Sequence, residues 1–99
     1  APSRLAVLPD VPTFKEVGLE PVNRMAFYGI LAPKGVSKDV VDRINAATKK
    51  VLADPAVKKR IEDTGSLVVG NTPEQFAEQI KAEFDVYKDV VKKQDLKLD

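Results

Sequence analysis

The sequence contains neither cysteine nor histidine. Without cysteine no disulfide can hold the fold, so stability must come from packing, and thiol usage leaves the compartment unmarked. Without histidine the usual general base at neutral pH is missing, and with both residues gone so are the usual zinc ligands. A hard-cation site built from carboxylates stays open, but no EF-hand-like spacing of Asp and Gly occurs. Ser3, Ser37 and Ser66 have no histidine to activate them, which excludes a Ser-His-Asp arrangement. A glycine-rich phosphate loop is also lacking, because Pro33-Lys34-Gly35 and Gly70-Asn71-Thr72 read as turns. No apolar run approaches the ~20 residues of a membrane span. Charge of one sign is not concentrated either. Sixteen basic and fifteen acidic side chains leave +1, spread along the whole length, so no basic stripe for nucleic acid exists. The chain opens on Ala1-Pro2-Ser3 with neither initiator Met nor leader, as expected of a processed or excised segment.

What is present is ordinary globular chemistry. Ninety-nine residues, 43% hydrophobic and 31% charged, suffice for one domain with one modest core. Carboxylate pairs such as Asp39/Asp42 and Glu62/Asp63 fall where helix capping and surface charge account for them. The lysines sit on polar helix faces, where they are solvated rather than poised for chemistry. The chain is therefore read as having no catalytic residues, no enzyme activity and no cofactor.

The first third is rich in proline, with Pro2, Pro9, Pro12, Pro21 and Pro33. Proline fixes φ and removes a donor, so extended segments and turns are expected there. One short helix is expected over residues 13–17, capped by Thr13 and stopped by Gly18. The run Met25-Ala26-Phe27-Tyr28-Gly29-Ile30-Leu31-Ala32, ended by Pro33-Lys34-Gly35, has the length and aromatic content of a strand buried on both faces.

From Ser37 the pattern changes. Ser37 is a natural N-cap, with Asp39 and Asp42 in the first turns. Val40, Val41, Ile44, Ala47, Val51 and Leu52 follow one helical stripe, and Asp39 is spaced to pair with Arg43. Asp54-Pro55 breaks and restarts the helix, with Val57 and Ile61 facing inward, and Gly65 ends it. Residues 67–70 are a second, short strand candidate. Thr72-Pro73-Glu74-Gln75 is a capping box with proline in its favoured place, the strongest local signal in the chain. The helix it opens is predicted over Pro73–Lys93, with Phe76, Ile80, Phe84, Tyr87 and Val91 as its core stripe. Leu96-Lys97-Leu98 alternates and suggests a last extended stub.

A strand buried on both faces belongs in a sheet covered by helices, and the chain lacks enough strands to build one. The segment looks incomplete. Adjacent aromatics on a strand face opposite ways, so one of Phe27 and Tyr28 can line a cleft while its neighbour packs inside. Gly29 admits close approach of a ligand, another backbone or a helix.

Four pieces, in order and spacing, resemble one family. They are Pro9-Asp10-Val11-Pro12-Thr13-Phe14-Lys15-Glu16-Val17-Gly18; Phe27-Tyr28-Gly29-Ile30-Leu31-Ala32-Pro33-Lys34-Gly35; Val40-Val41-Asp42-Arg43-Ile44-Asn45 with Ala53-Asp54-Pro55; and Gly70-Asn71-Thr72-Pro73-Glu74-Gln75-Phe76. Together they are similar to the C-terminal part of the tripartite tricarboxylate transporter substrate-binding proteins, the Bordetella uptake gene receptors. The resemblance runs from about Arg4 to the C-terminus and implies an α/β fold. It would be the C-terminal segment of a two-domain periplasmic-binding-protein type II fold, helix-rich, with one to three strands here. Residues 1–24 would then be the end of the second domain and a linker with a short helix. Residues 25–99 would be the crossing strand and the C-terminal helices packing on the first domain. It further implies a periplasmic receptor segment that helps capture a small carboxylate or amino acid and deliver it to membrane permease components. The family's main binding loops come from earlier in its chain, so Phe27, Tyr28 and Gly29 are the expected ligand-side residues. Many family members carry Trp where Phe27 stands; Phe keeps a stacking face and loses the indole donor.

A reading from another class is a small α+β protein-interaction or self-association module without a small-molecule ligand. An exposed edge over residues 27–32 would then favour a strand-swapped homodimer.

Overall fold

Each α-helix of the chain opens on a side chain that accepts amide protons its first turn leaves orphaned. The computed structural model describes residues 1–97. In it, Ser37 accepts from the Val40 amide at the head of α1 (Lys38–Leu52). Asp54 accepts from Ala56 and Val57 at the head of α2 (Pro55–Glu62), where Pro55 takes the first position. Thr72 and Gln75 close a reciprocal box on α3 (Pro73–Lys93). The Thr72 hydroxyl accepts from the Gln75 amide at 3.2 Å, and Gln75 Oε1 accepts from the Thr72 amide at 2.9 Å. After α2 the chain reverses at Gly65, whose φ of +79° suits glycine alone among common residues. All three helices stand where their caps predict. α1 packs against both α2 and α3. The expected Asp39–Arg43 pair is replaced by Lys38 Nζ with Asp42 at 2.5 Å. Lys81–Asp85 and Asp89–Lys93 add similar pairs along α3, each exposed and contributing only a few tenths of a kcal/mol.

The expected helix over residues 13–17 is a single turn with both of its ends finished. Thr13 Oγ1 accepts from the Glu16 amide and Glu16 Oε2 accepts from the Thr13 amide. At the other end Gly18, with φ +81°, donates to the Lys15 carbonyl while Leu19 donates to Phe14. A capping box and a Schellman closure thus share one turn, with no middle to call a helix. Arg4 ties this turn back by donating from Nε to Glu16 at 2.9 and 3.2 Å, and from Nη1 to the Pro9 carbonyl. A short 3-10 turn (Glu20–Val22) leads on to residue 24.

The α/β expectation is overturned. Among the described residues there is no strand and no sheet; the chain is helices joined by irregular segments. Residues 25–32, expected as a strand buried on both faces, make no backbone hydrogen bond to any described residue, and residues 67–70 make none either. The physical reason is that an apolar run signals a strand locally, whereas a strand exists only when a second segment completes its ladder. No described segment does so. Tyr28 is 90% exposed and Leu31 73% exposed, the reverse of the predicted burial. The α+β alternative loses its strands by the same observation. Leu96 and Lys97 join no ladder, and Leu98 of the expected stub lies outside the described residues.

The helices also close around no core. No apolar side chain among the described residues is fully buried, and the buried residue is Thr13. The chain exposes 8474 Å², against roughly 5,600 Å² for a compact protein of its mass. Its radius of gyration is 16.6 Å, against about 13 Å for a compact domain of this length.

Candidate functional site

The three sequence-predicted site residues divide between two sides of their segment. The Phe27 ring meets Phe76 of α3 edge-on, with centroids 5.8 Å apart and planes at 86°. Gly29 lies against the tip of the same ring; a Cβ there would overlap Phe76 Cζ and Cε1. Tyr28, between them, is left in solvent. Residues 27 and 29 therefore serve packing on α3, and Tyr28 is the side chain free to meet something else.

Just upstream, Arg24 Nη1 donates to Glu83 Oε1 of α3 at 2.8 Å, with both side chains a third exposed or less. Its guanidinium also lies 5.8 Å from the Tyr87 ring centroid, within cation–π range. Phe76, Glu83 and Tyr87 fall at i, i+7 and i+11, on one face of α3. From Glu83 back to Phe76 the helix covers about 10.5 Å, and three extended residues from Arg24 to Phe27 cover about 10 Å. The segment runs antiparallel along α3, anchored at both ends of that span.

Beside it opens a hollow of about 1090 Å³ bounded by residues 25–33, α1, α2, residues 66–72 and the start of α3. Its walls are largely apolar, including Val41, Ile44, Leu52, Leu67, Phe76 and Ile80. Its side-chain amides form a short relay. Asn45 Nδ2 donates to the Asn71 carbonyl at 3.0 Å, and Asn71 Nδ2 donates to Gln79 Oε1 at 3.4 Å. The charged lining residues are Lys49 and Arg60, and no carboxylate joins them. Small-molecule pockets run from about 300 to 1,000 Å³ with convergent polar groups; this hollow is at the upper end of that range in size and lacks the convergence. No cluster of acidic or metal-binding side chains able to hold a metal ion occurs among the described residues. Electrostatic perturbation lies elsewhere. The Arg4 guanidinium and the Thr13 amide hold the Glu16 carboxyl at about 2, and Glu74 is pushed below the usual carboxylate range by hydrogen bonds from its own amide and the Thr72 hydroxyl.

Sequence reasoning missed the anchors Arg24, Glu83 and Tyr87. Phe76 and Tyr87 were legible as part of an apolar stripe, but nothing local links Arg24 to Glu83, 59 positions away.

Comparison with known proteins assigns the frame. The family model of the tripartite tricarboxylate transporter family receptors, TctC, matches residues 1–96. The "UPF0065 protein in tcbD-tcbE intergenic region" of Pseudomonas sp. (strain P51) is 34% identical over 85 residues, covering 85% of this chain and 25% of that protein. A UPF0065 protein of Agrobacterium vitis, from the TAR-I ttuE-ttuC' intergenic region, is 34% identical over 86 residues, covering 84% of this chain and 25% of its own. A solved structure titled "Structure of a periplasmic transporter" superposes with a TM-score of 0.88 at 47% identity, covering 100% of this chain and 33% of that one. The chain belongs to the tripartite tricarboxylate transporter receptor family. That family is one of receptors, not enzymes. The chain spans about a quarter of the length of the curated relatives and a third of the solved one.

Proposed function

We propose that this chain is the part of a periplasmic solute receptor that walls one side of its ligand cleft. The receptor captures a small carboxylate or amino acid and hands it to the permease components of a tripartite tricarboxylate transporter. The observation that carries this is the family match over residues 1–96. The superposition on a periplasmic transporter three times as long supports it. In this reading residues 1–24 end one domain and link to the next, and residues 25–33 cross the cleft. The helices of residues 38–93 then pack on the other domain.

Phe27, Tyr28 and Gly29 are the ligand-side residues of this proposal, with Tyr28 foremost. Its hydroxyl can donate to a carboxylate oxygen, and it is the one of the three whose side chain α3 does not occupy. Phe27 offers an edge and Gly29 its backbone. Binding is by closure of two domains with no chemistry.

Isothermal titration against dicarboxylates tests this with two proteins, the 99-residue chain and a longer receptor containing it. The longer protein binds and the isolated chain does not, because half a cleft lacks the convergent donors that hold a carboxylate. Micromolar binding by the isolated chain would contradict the split site. In the longer protein Tyr28→Phe weakens binding by about tenfold, the worth of one hydrogen bond to a charged group. Unchanged affinity removes Tyr28 from the site.

A further inference from the structure

Residues 1–24 keep their polar bonds to themselves with one exception. Among the described residues, every hydrogen bond and ion pair made by residues 1–23 stays within residues 1–24. Arg24 alone reaches out, to Glu83 and to the face of Tyr87. We infer that Arg24 is a positioning residue: it fastens the first 24 residues to α3, fixes the bend from which residues 25–33 depart, and so sets where Tyr28 meets solute. The last step rests on the proposed ligand-side role of Tyr28; the fastening does not.

The joint itself is soft. Asn23 has φ −79° and ψ 66°, and the Arg24 amide donates to the Val22 carbonyl at 2.9 Å, which makes an inverse γ-turn at the start of the segment. One bond closes that turn, so the groups on either side decide its angle. Upstream, the Ala1 nitrogen donates to Asn23 Oδ1 at 3.2 Å, a bond that an amide at that place would keep. Downstream there is Arg24. Its pair with Glu83 is the least exposed ion pair among the described residues, where water weakens the attraction least. Its planar guanidinium, held by a carboxylate and an aromatic ring together, has a direction as well as a place. The alternative hold is weaker in this respect. Leu5 and Val7 come up against Gly65, but apolar contact is non-directional and sets no angle. Phe27 and Gly29 meet only the Phe76 ring, and a segment held at one ring can pivot about it. Arg24, about two turns further along α3, adds the second point that turns a pivot into a line.

The test uses a longer receptor containing these 99 residues. They include no cysteine, so in a receptor without other cysteines nitroxide labels go to Asp10→Cys and Lys92→Cys, both exposed positions. Double electron–electron resonance without solute then reads the distance from the first stretch to α3. One narrow distance is expected. Arg24→Ala and Glu83→Gln each broaden it, Arg24→Lys restores it, and Lys81→Ala, which breaks a pair elsewhere on α3, leaves it narrow. With solute, isothermal titration is expected to show Arg24→Ala weakening binding about fivefold. In a Tyr28→Phe background the same change costs less than about twofold, because the hydroxyl that Arg24 positions is gone. A merely structural Arg24 would lower the urea midpoint and leave the two losses additive. A distance that stays narrow in Arg24→Ala overturns the fastening, and additive losses overturn the positioning. A receptor that ignores dicarboxylates, or one indifferent to Tyr28→Phe, fails the proposed function instead, and the solute-free distances still decide on Arg24.

Discussion

Replacing Thr72 with alanine tests how far a local cap reaches into the candidate site. The hydroxyl of Thr72 accepts from the Gln75 amide, and its loss leaves an orphan donor at the head of α3. Phe76 follows directly, and its amide makes the first backbone bond of the helix, to the Thr72 carbonyl at 2.9 Å. The same residue's ring carries Phe27 and Gly29. Losing an N-cap costs about 1 kcal/mol, which multiplies local opening of the first turn about fivefold. Amide exchange resolved by residue should therefore show Phe76 and Ala77 exchanging about fivefold faster, with Lys88 and Val90 unaffected. The nuclear Overhauser contacts between Phe27 and Phe76 should weaken in step. Thr72→Ser keeps the acceptor and should restore both. The reasoning is refuted if the alanine variant leaves Phe27–Phe76 contacts intact while the first turn frays, or if serine is as damaging as alanine.

Other perturbations probe the same frame. Gly29→Ala places a methyl group in collision with the tip of the Phe76 ring. Gly29 does not have a positive φ, so the cost is steric, about 1 kcal/mol in urea unfolding, and it should vanish in a Phe76→Ala background. A double-mutant cycle on Arg24→Ala and Glu83→Ala should return a coupling of about 0.5–1 kcal/mol, reduced by added salt; a coupling of zero would mean that the pair does not hold the segment. One alanine inserted between Met25 and Ala26 lengthens the span by about 3.3 Å and turns Phe27 to the opposite side. It should abolish either the Arg24–Glu83 coupling or the Phe27–Phe76 contacts, and survival of both would refute the antiparallel register. Glu16 gives a pH signature. Hydrogen bonds from Arg4 and the Thr13 amide hold its carboxyl at about 2, against an ordinary 4.5. The folded turn thus binds this proton less readily than the unfolded chain. Its contribution is whole above about pH 4.5 and is lost as the pH falls through 2. A side-chain carbon titration of Glu16 with its midpoint near 4.5 would show that the clamp does not form in solution.

What could be read from the residues was what local physics decides. The heads of α1, α2 and α3 were legible because a cap and its amide are neighbours in sequence: Ser37 with Val40, Asp54 with Ala56, Thr72 with Gln75. The glycine stops at Gly18 and Gly65 were legible for the same reason. The single turn at Thr13 was overread as a helix because the Thr13–Glu16 box and the Gly18 closure, three and five positions apart, leave no room for a middle. The ion pair found at the head of α1 is Lys38–Asp42 rather than the expected Asp39–Arg43, since several i,i+4 pairs of opposite charge occur there and spacing alone does not say which will close.

The strand failed for a different reason, and that reason also explains the site. A run such as residues 25–32 is apolar because something covers it, but the covering group is not specified by the run. The structure supplies one cover, Phe76, and it reaches only the side that Phe27 and Gly29 present. On the other side Tyr28 and Ile30 stay exposed, and Leu31, past the reach of Phe76, is exposed as well. Apolar residues that face nothing within the chain are the expected sign of an interior surface whose other wall belongs to a longer polypeptide. The relatives are three to four times as long. The same half-covered segment carries the proposed ligand-side residues. Its inner side is held on α3 by Arg24, Phe27 and Gly29, which leaves the outer side free. A binding wall needs that arrangement, because a segment free on both sides would spend its binding energy on becoming ordered.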